Sequence, residues 1–245
     1  RSTNCKVELG NREKNKEKIK ELVKKAYKED VNILSLPELS LTGASLYDGY
    51  KDIARLVEDD ILDLVEFSKG YKVLFTVGFP LSYKNKIYNA IALIMDGYIT
   101  DIYTKKNLSN IEKSIFSNDL NEEDMIQVLN TWIDINPKSN SICQLSIGVT
   151  IGSDELADIP RSLTYKANHE SYPQIILHPT AEPKLALNEN QILNRVEFLS
   201  KSITYVYTSQ GIGESTTDFV YGGLNIIAND GKIEILKANT YIDYV

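Results

Sequence analysis

The sequence predicts an α/β fold, with a mixed sheet or two sheets covered by helices. Stripes of helical period alternate along the chain with short apolar runs rich in β-branched residues, which argues against all-helical and all-β architectures. Two hairpin signals, Asp96-Gly97 and Asn229-Asp230-Gly231, lie between such runs and add antiparallel strands to the alternation. No internal repeat, low-complexity tract or linker divides the 245 residues, so 1–245 reads as one domain.

Taken in order, Ile19, Leu22, Val23 and Ala26 fall at i, i+3, i+4 and i+7, the apolar stripe of a helix from about Asn11 to Glu29. It feeds a buried strand, Val31–Leu36, that stops at Pro37. Ile53, Leu56, Val57, Ile61, Leu64 and Val65 mark a second helix, with Gly70 placed to end it. Lys72–Gly78 reads as a buried strand. Lys86–Met95 and Tyr98–Thr104 then flank Asp96-Gly97, a pair suited to a type I′ turn. The polar stretch from Asn107 to Asn140 is expected to hold a helix near Asp124–Trp132, and a strand pair follows around Ile142–Ile151. A helix near Arg161–His169 leads to strand Gln174–His178, and one over about Gln191–Ser202 leads to strand Ile203–Ser209. Gly223–Ala228 and Lys232–Leu236 make the last hairpin.

Apolar residues at 42% and charged residues at 25% are the balance of an ordinary globular protein with a full core. The longest apolar stretch, Ala90 to Met95, is too short to cross a bilayer, and no charged-then-apolar leader opens the chain. A cytoplasmic protein is therefore expected. With a net charge of −7, a nucleic-acid surface would need clustered cations. The lysines of Lys14–Lys28 are interleaved with Glu13, Glu17, Glu21 and Glu29, the mixed-sign face of a solvated helix, so no nucleic-acid partner is expected. Cys5 and Cys143 have no metal-ligand spacing and no clustered His, Cys and carboxylates appear, so neither a disulfide framework, a metal nor a cofactor is expected.

Four separated segments carry the chemistry. Pro37-Glu38-Leu39-Ser40-Leu41-Thr42-Gly43 directly follows a buried strand, and Tyr103-Thr104-Lys105-Lys106-Asn107-Leu108 leaves a hairpin strand. Ile147-Gly148-Val149-Thr150-Ile151-Gly152-Ser153-Asp154 is a strand running into a turn. Gly213-Glu214-Ser215-Thr216-Thr217-Asp218 precedes Tyr221-Gly222-Gly223. Each is short, but their order along nearly the whole chain resembles the nitrilase (carbon–nitrogen hydrolase) superfamily. Within it, the fourth segment is similar to the glutaminase domain of glutamine-dependent NAD synthetases. The resemblance implies a four-layer α-β-β-α sandwich. It also implies a reaction in which a cysteine thiolate attacks the amide of glutamine, a glutamate takes the thiol proton and a lysine stabilises the oxyanion.

Carried over position by position, the resemblance makes Glu38 the base; the plainer alternative is a solvated loop glutamate. Lys105 takes the lysine's place, standing three residues before Leu108. Lys106 is its rival, and neighbouring strand residues point to opposite faces, so only one can enter a site. The nucleophile position falls on Gly152, which has no side chain to form an acyl-enzyme, although glycine tolerates the sharp turn such a position needs. Ser153 and Cys143 are the replacement nucleophiles to consider, and neither is expected to serve. The resemblance also suggests Ser153, Thr180 and Glu214 for substrate binding, with Asp218 at the pocket mouth. Glu112, Glu122 and Glu123 are candidates for an accessory glutamate, and His178 reads as a satisfied core histidine.

The neighbourhood of Gly152 departs from the family as well. Thr150 and Ser153 stand where glutamates are usual, Leu156-Ala157 replaces a Leu-Trp pair, and Ser109 and Ile111 replace proline and tyrosine. His178-Pro179-Thr180-Ala181 stands where an Asn-Leu-Ser-like stretch is expected. Changes spread this widely point to natural drift away from glutaminase activity. The expected partners are a small amide such as glutamine, an NAD synthetase domain in cis or in trans, and further copies of the chain in a homo-oligomer. An ATP-binding Ser-Gly-Gly-x-x-Ser-like loop does not occur in this sequence, so the synthetase domain is not part of it. The alternatives are a ligand-binding or assembly module, and an amidase with an unexpected nucleophile.

Overall fold

The computed structural model describes residues 2, 7–120, 128–136, 141–157, 173–183, 188–211, 214–216 and 220–237. The first helix, α1 (Arg12–Lys28), follows its apolar stripe. Ile19, Leu22, Val23 and Ala26 are buried, and the Asn11 side chain accepts a hydrogen bond from Lys14 N at the first turn. Its lysines reach across to a neighbouring helix, where Lys16 Nζ lies 2.9 Å from Asp60 Oδ1.

Strand β1 is only Ile33–Leu34, shorter than the run Val31–Leu36 suggested, because its parallel ladder extends over just two pairs, Ile33 with Leu74 and Leu34 with Phe75. The second helical stripe is broken in two. Tyr50–Ile53 forms α2 and Val57–Phe67 forms α3, and Leu56 between them is 51% exposed rather than part of the core. Gly70, with φ of 81°, lies just beyond α3. Strands β2 (Leu74–Tyr83), β3 (Lys86–Met95) and β4 (Tyr98–Thr104) form a meander. Both of its turns carry two successive positive-φ residues, Lys84-Asn85 and Asp96-Gly97.

The helix expected near Asp124–Trp132 is overturned over its described part, where Val128–Asn136 is a strand, β5, antiparallel to β6 (Ser141–Val149). The local pattern is ambiguous in period, and pairing with the next strand, Ser141–Val149, decided it. Strand β7 (Ile175–Thr180), helix α4 (Asn188–Leu199), and strands β8 (Thr204–Ser209), β9 (Asn225–Asn229) and β10 (Lys232–Lys237) complete the order. The helix expected near Arg161–His169 lies outside the described residues.

Among the described residues the strands make two sheets, ordered β1-β2-β3-β4 and β10-β9-β8-β7-β6-β5. The second is parallel across β6, β7 and β8 and antiparallel on both flanks. Alternation of side chains then sets the layers. Ala90, Ala92 and Ile94 on β3, with Phe75, Val77 and Phe79 on β2, pack against α1 and α3. Their neighbours Ile91, Leu93 and Leu74 face the other way, onto Ile147, Val149, Leu177 and Val206 of the second sheet. That sheet's outer face, Ile176, Tyr205, Tyr207 and Ile226, is covered by Ile192 and Val196 of α4. The order is helix, sheet, sheet, helix: the four-layer α-β-β-α sandwich of the nitrilase type. Truncating a central side chain such as Ile91→Ala would cost about 2–5 kcal/mol. Among the described residues, no helix is long and apolar enough to cross a membrane.

Candidate functional site

Glu38 lies on the loop that leaves β1. That loop runs directly over β2 because Gly78 has no side chain there: a Cβ at Gly78 would stand 2.2 Å from Leu39 N and 2.8 Å from Pro37 O. Leu39 adopts a φ of 52°, and Leu41 N bonds Gly78 O at 2.9 Å, which turns the chain and holds Glu38 inward. Its carboxylate is 2% exposed. Oε1 accepts from Asn89 Nδ2 at 2.6 Å and from Lys105 Nζ at 2.9 Å, and Oε2 accepts from Ala181 N at 2.8 Å. Gln210 Nε2 donates to the Glu38 carbonyl at 2.6 Å.

Lys105 follows β4, its N–H donating to Asn89 O at 2.8 Å. Its Nζ contacts Glu38 and also Glu112 Oε1, at 2.6 Å. Burial by itself would depress the ammonium, but Glu38 and Glu112 outweigh it and hold the group well above the usual lysine range. Lys106 turns away and donates to Leu120 O at 3.1 Å. Of the three accessory candidates Glu112 reaches the cluster, while Glu122 and Glu123 lie outside the described residues.

Gly152 sits two residues beyond the sequence Val149-Thr150, in the turn that follows β6, with φ of 52°. A Cβ there would point into the cluster, 2.6 Å from Lys105 Nζ and 2.7 Å from Glu38 Oε2. Its carbonyl accepts from His178 Nε2 at 2.8 Å, leaving His178 Nδ1 to accept from Tyr205 OH at 2.9 Å. Burial lowers this imidazole to about 4, so it is a neutral core histidine that fixes the turn. Asp154 steadies the same turn from the other side by accepting from Lys106 N and Asn107 N. Burial raises the Asp154 carboxyl to about 7 even though these amides pull it down.

The remaining sequence candidates are dispersed. Ser153 Oγ donates to Asn107 O at 2.8 Å. Thr180 is fully buried at the end of β7, and its Oγ1 accepts from Glu182 N at 3.2 Å. Glu214 is buried and its Oε1 accepts from Ala44 N, tying together two loops 170 residues apart. Burial, more than that hydrogen bond can offset, raises Glu214 to about 8. Cys143 stands opposite Ile133 in the β5–β6 ladder. Cys5 and Asp218 lie outside the described residues.

A cavity of about 350 Å³ opens onto the cluster. Glu38, Lys105 and Glu112 contribute its polar wall, with Tyr50, Phe116 and Tyr221 among its apolar lining. Ser153 borders it, whereas Thr180 and Glu214 do not. A carboxylate fixed beside an ammonium in such an enclosure can take a proton from a bound group and stabilise negative charge next to it. Sequence reasoning missed Asn89 and the Ala181 amide. Asn89 had a signal, being the one amide side chain in the run Tyr88–Met95, whereas a backbone N–H leaves none. Among the described residues, no group of three or more His, Cys, Asp or Glu could hold a metal ion.

The sequence matches the family model described as Carbon-nitrogen hydrolase over residues 4–151. A glutamine-dependent NAD(+) synthetase of Mycobacterium leprae is 26% identical over 229 residues, which is 86% of this chain and 32% of that protein. One from Aquifex aeolicus is 32% identical over 104 residues, 42% of this chain and 18% of its own length. The chain therefore spans about a third or less of these curated relatives. Among solved structures, the glutamine-dependent NAD+ synthetase of Acinetobacter baumannii superposes with a TM-score of 0.79 at 20% identity, covering 96% of this chain and 42% of that one. An amidase from Nesterenkonia sp. superposes with a TM-score of 0.78 at 14% identity, covering 98% and 85%. At these identities the superpositions show a shared fold.

Proposed function

Because the chain belongs to the carbon–nitrogen hydrolase family, we propose that it is a glutaminase-type amidohydrolase domain, related to that of glutamine-dependent NAD synthetases, whose nucleophile position is held by Gly152 and which therefore does not turn over amides. The observation that carries this reading is the direction of the absent side chain. A Cβ on Gly152 would stand between Glu38 Oε2 and Lys105 Nζ, at 2.7 and 2.6 Å.

In the family chemistry a thiol at that point would attack the amide carbonyl, pass its proton to the Glu38 carboxylate, and leave the oxyanion beside the Lys105 ammonium. Glycine supplies no attacking atom, and loss of a nucleophile costs other enzymes on the order of a millionfold in turnover. The partners in this reading are a small amide of the glutamine type, further copies of the chain, and an NAD synthetase domain in cis or in trans in the cytoplasm.

A second reading, a non-catalytic module that binds a small amide, is favoured by the cavity. A pure scaffold would have no use for about 350 Å³ of space against a charged cluster. An amidase with an unexpected nucleophile finds less support, since the Ser153 hydroxyl is spent on Asn107 O.

Ammonia release from glutamine and from a simple aliphatic amide, by the parent and by Gly152→Cys, tests the proposal. A silent parent and an active cysteine variant are the expected pair. Clear turnover by the parent that survives Gly152→Ala would overturn the assignment of the nucleophile position.

A further inference from the structure

A groove of about 470 Å³ lies between α3, the turn before it, and strands β2 and β4, and it shares no lining residue with the Glu38 cavity. Val57, Ile61, Phe79 and Leu81 give it an apolar lining. Leu62 and Ile99 border it as well, yet they are 55% and 38% exposed. Tyr98, next to Ile99 in the chain, is exposed too. The strand that carries them, β4, is the outermost of its sheet and has no partner on its far side among the described residues. Exposed apolar side chains along an unpaired edge make a surface that folded proteins cover.

The charges on the groove say what covers it. Arg55 and Glu58 line it, three positions apart, and both are exposed. Neither is held by an ion pair among the described residues. One cation and one anion make the patch neutral, in a chain whose net charge is −7. A uniformly cationic or anionic partner finds no match there. A second copy does, because a twofold axis makes every contact occur twice, with residue i meeting j and j meeting i.

We infer that two copies of this chain pair through this groove about a twofold axis, burying Leu62 and Ile99 and setting Arg55 of each copy against the partner's Glu58. This pairing gives a place to the self-association named above and rests on that part of the reading, independent of the amide chemistry at Gly152.

Sedimentation equilibrium of the parent chain and of two charge reversals, each checked by its melting curve, tests the pairing. The parent should dimerise. Arg55→Glu leaves two acids on each patch and Glu58→Arg two bases, so either change sets like charges together twice. Each variant alone should dissociate at least about tenfold more readily than the parent. An equimolar mixture of the two should recover a mixed dimer, since an acidic patch then meets a basic one. A monomeric parent overturns the pairing. So does a parent dimer that neither reversal weakens, or a mixture that associates no better than its separate components. Ammonia release by Gly152→Cys is read separately, so failure here leaves the amidase reading standing.

Discussion

The Lys105 ammonium stands 2.6 Å from the point where Gly152 would carry a Cβ, so a side chain at 152 and the present Glu38–Lys105 contact compete for one space. The two sides of that contact differ in freedom. Lys105 Nζ ends a flexible chain, whereas Glu38 Oε2 is fixed by the Ala181 amide at 2.8 Å. Any residue larger than glycine at 152 must displace the lysine and also shift the Glu38 carboxylate, whose Oε2 would stand 2.7 Å from the new Cβ.

Gly152→Ala therefore carries a backbone cost and a steric one. The left-handed φ of 52° alone disfavours an L-residue by about 1–2 kcal/mol. Urea unfolding should report a loss of at least that size, and an unchanged midpoint would contradict both the turn geometry and the position of Lys105.

Removing the cation is expected to be worse. Lys105→Met strands two carboxylates, one of them almost fully buried, and should cost about 3–5 kcal/mol. Combining it with Glu38→Gln should recover much of the loss, because the stranded buried charge goes with it. A double-mutant cycle with strictly additive effects would mean that the pair is not coupled.

Asn89→Ala removes a donor from a buried carboxylate, at a cost of about 1–3 kcal/mol in stability. In a Gly152→Cys background it should also lower whatever amide turnover is restored, since Glu38 loses one of the groups that aim it. Full stability together with full restored activity would show that Asn89 does not position Glu38.

The pH dependence of stability has opposing slopes. Burial raises Glu214 to about 8, from an ordinary value of 4.5, so between these values the unfolded chain has released a proton that the folded chain retains. Stability is accordingly lost as pH rises through that window. Asp154, raised by burial to about 7, adds to the slope. His178, held at about 4 by burial, acts in the other direction, and its contribution is lost as pH falls below 6.5. Glu214→Gln should flatten the descending part, so its stability relative to the parent improves between about pH 5 and pH 8. A constant difference across that range would refute the buried, protonated carboxyl.

How far the fold could be read depended on where each element's information lay. The hairpin of Lys86–Met95 and Tyr98–Thr104 was legible to the residue, because its turn needs two positive-φ positions and Asp96-Gly97 supplies them locally. The strand Val128–Asn136 was misread as helical, because what fixes it is a nine-residue partner strand, Ser141–Val149. The break between Ile53 and Val57 escaped for a related reason, since a continuous stripe does not reveal that Leu56 is left outside the core.

By itself the sequence determined the layer-forming alternation of apolar residues, the positive-φ turns, and the residue types at 38, 105 and 152, since composition and local conformational preference reside in the chain. Tertiary structure alone decided which lysine faces Glu38, that Glu112 joins it, and that Asn89 and a backbone amide from Ala181 complete its shell. The reason is physical. Those contacts join residues up to 143 positions apart, and a hydrogen bond or an ion pair acts over a few ångströms of space, whatever the separation along the chain.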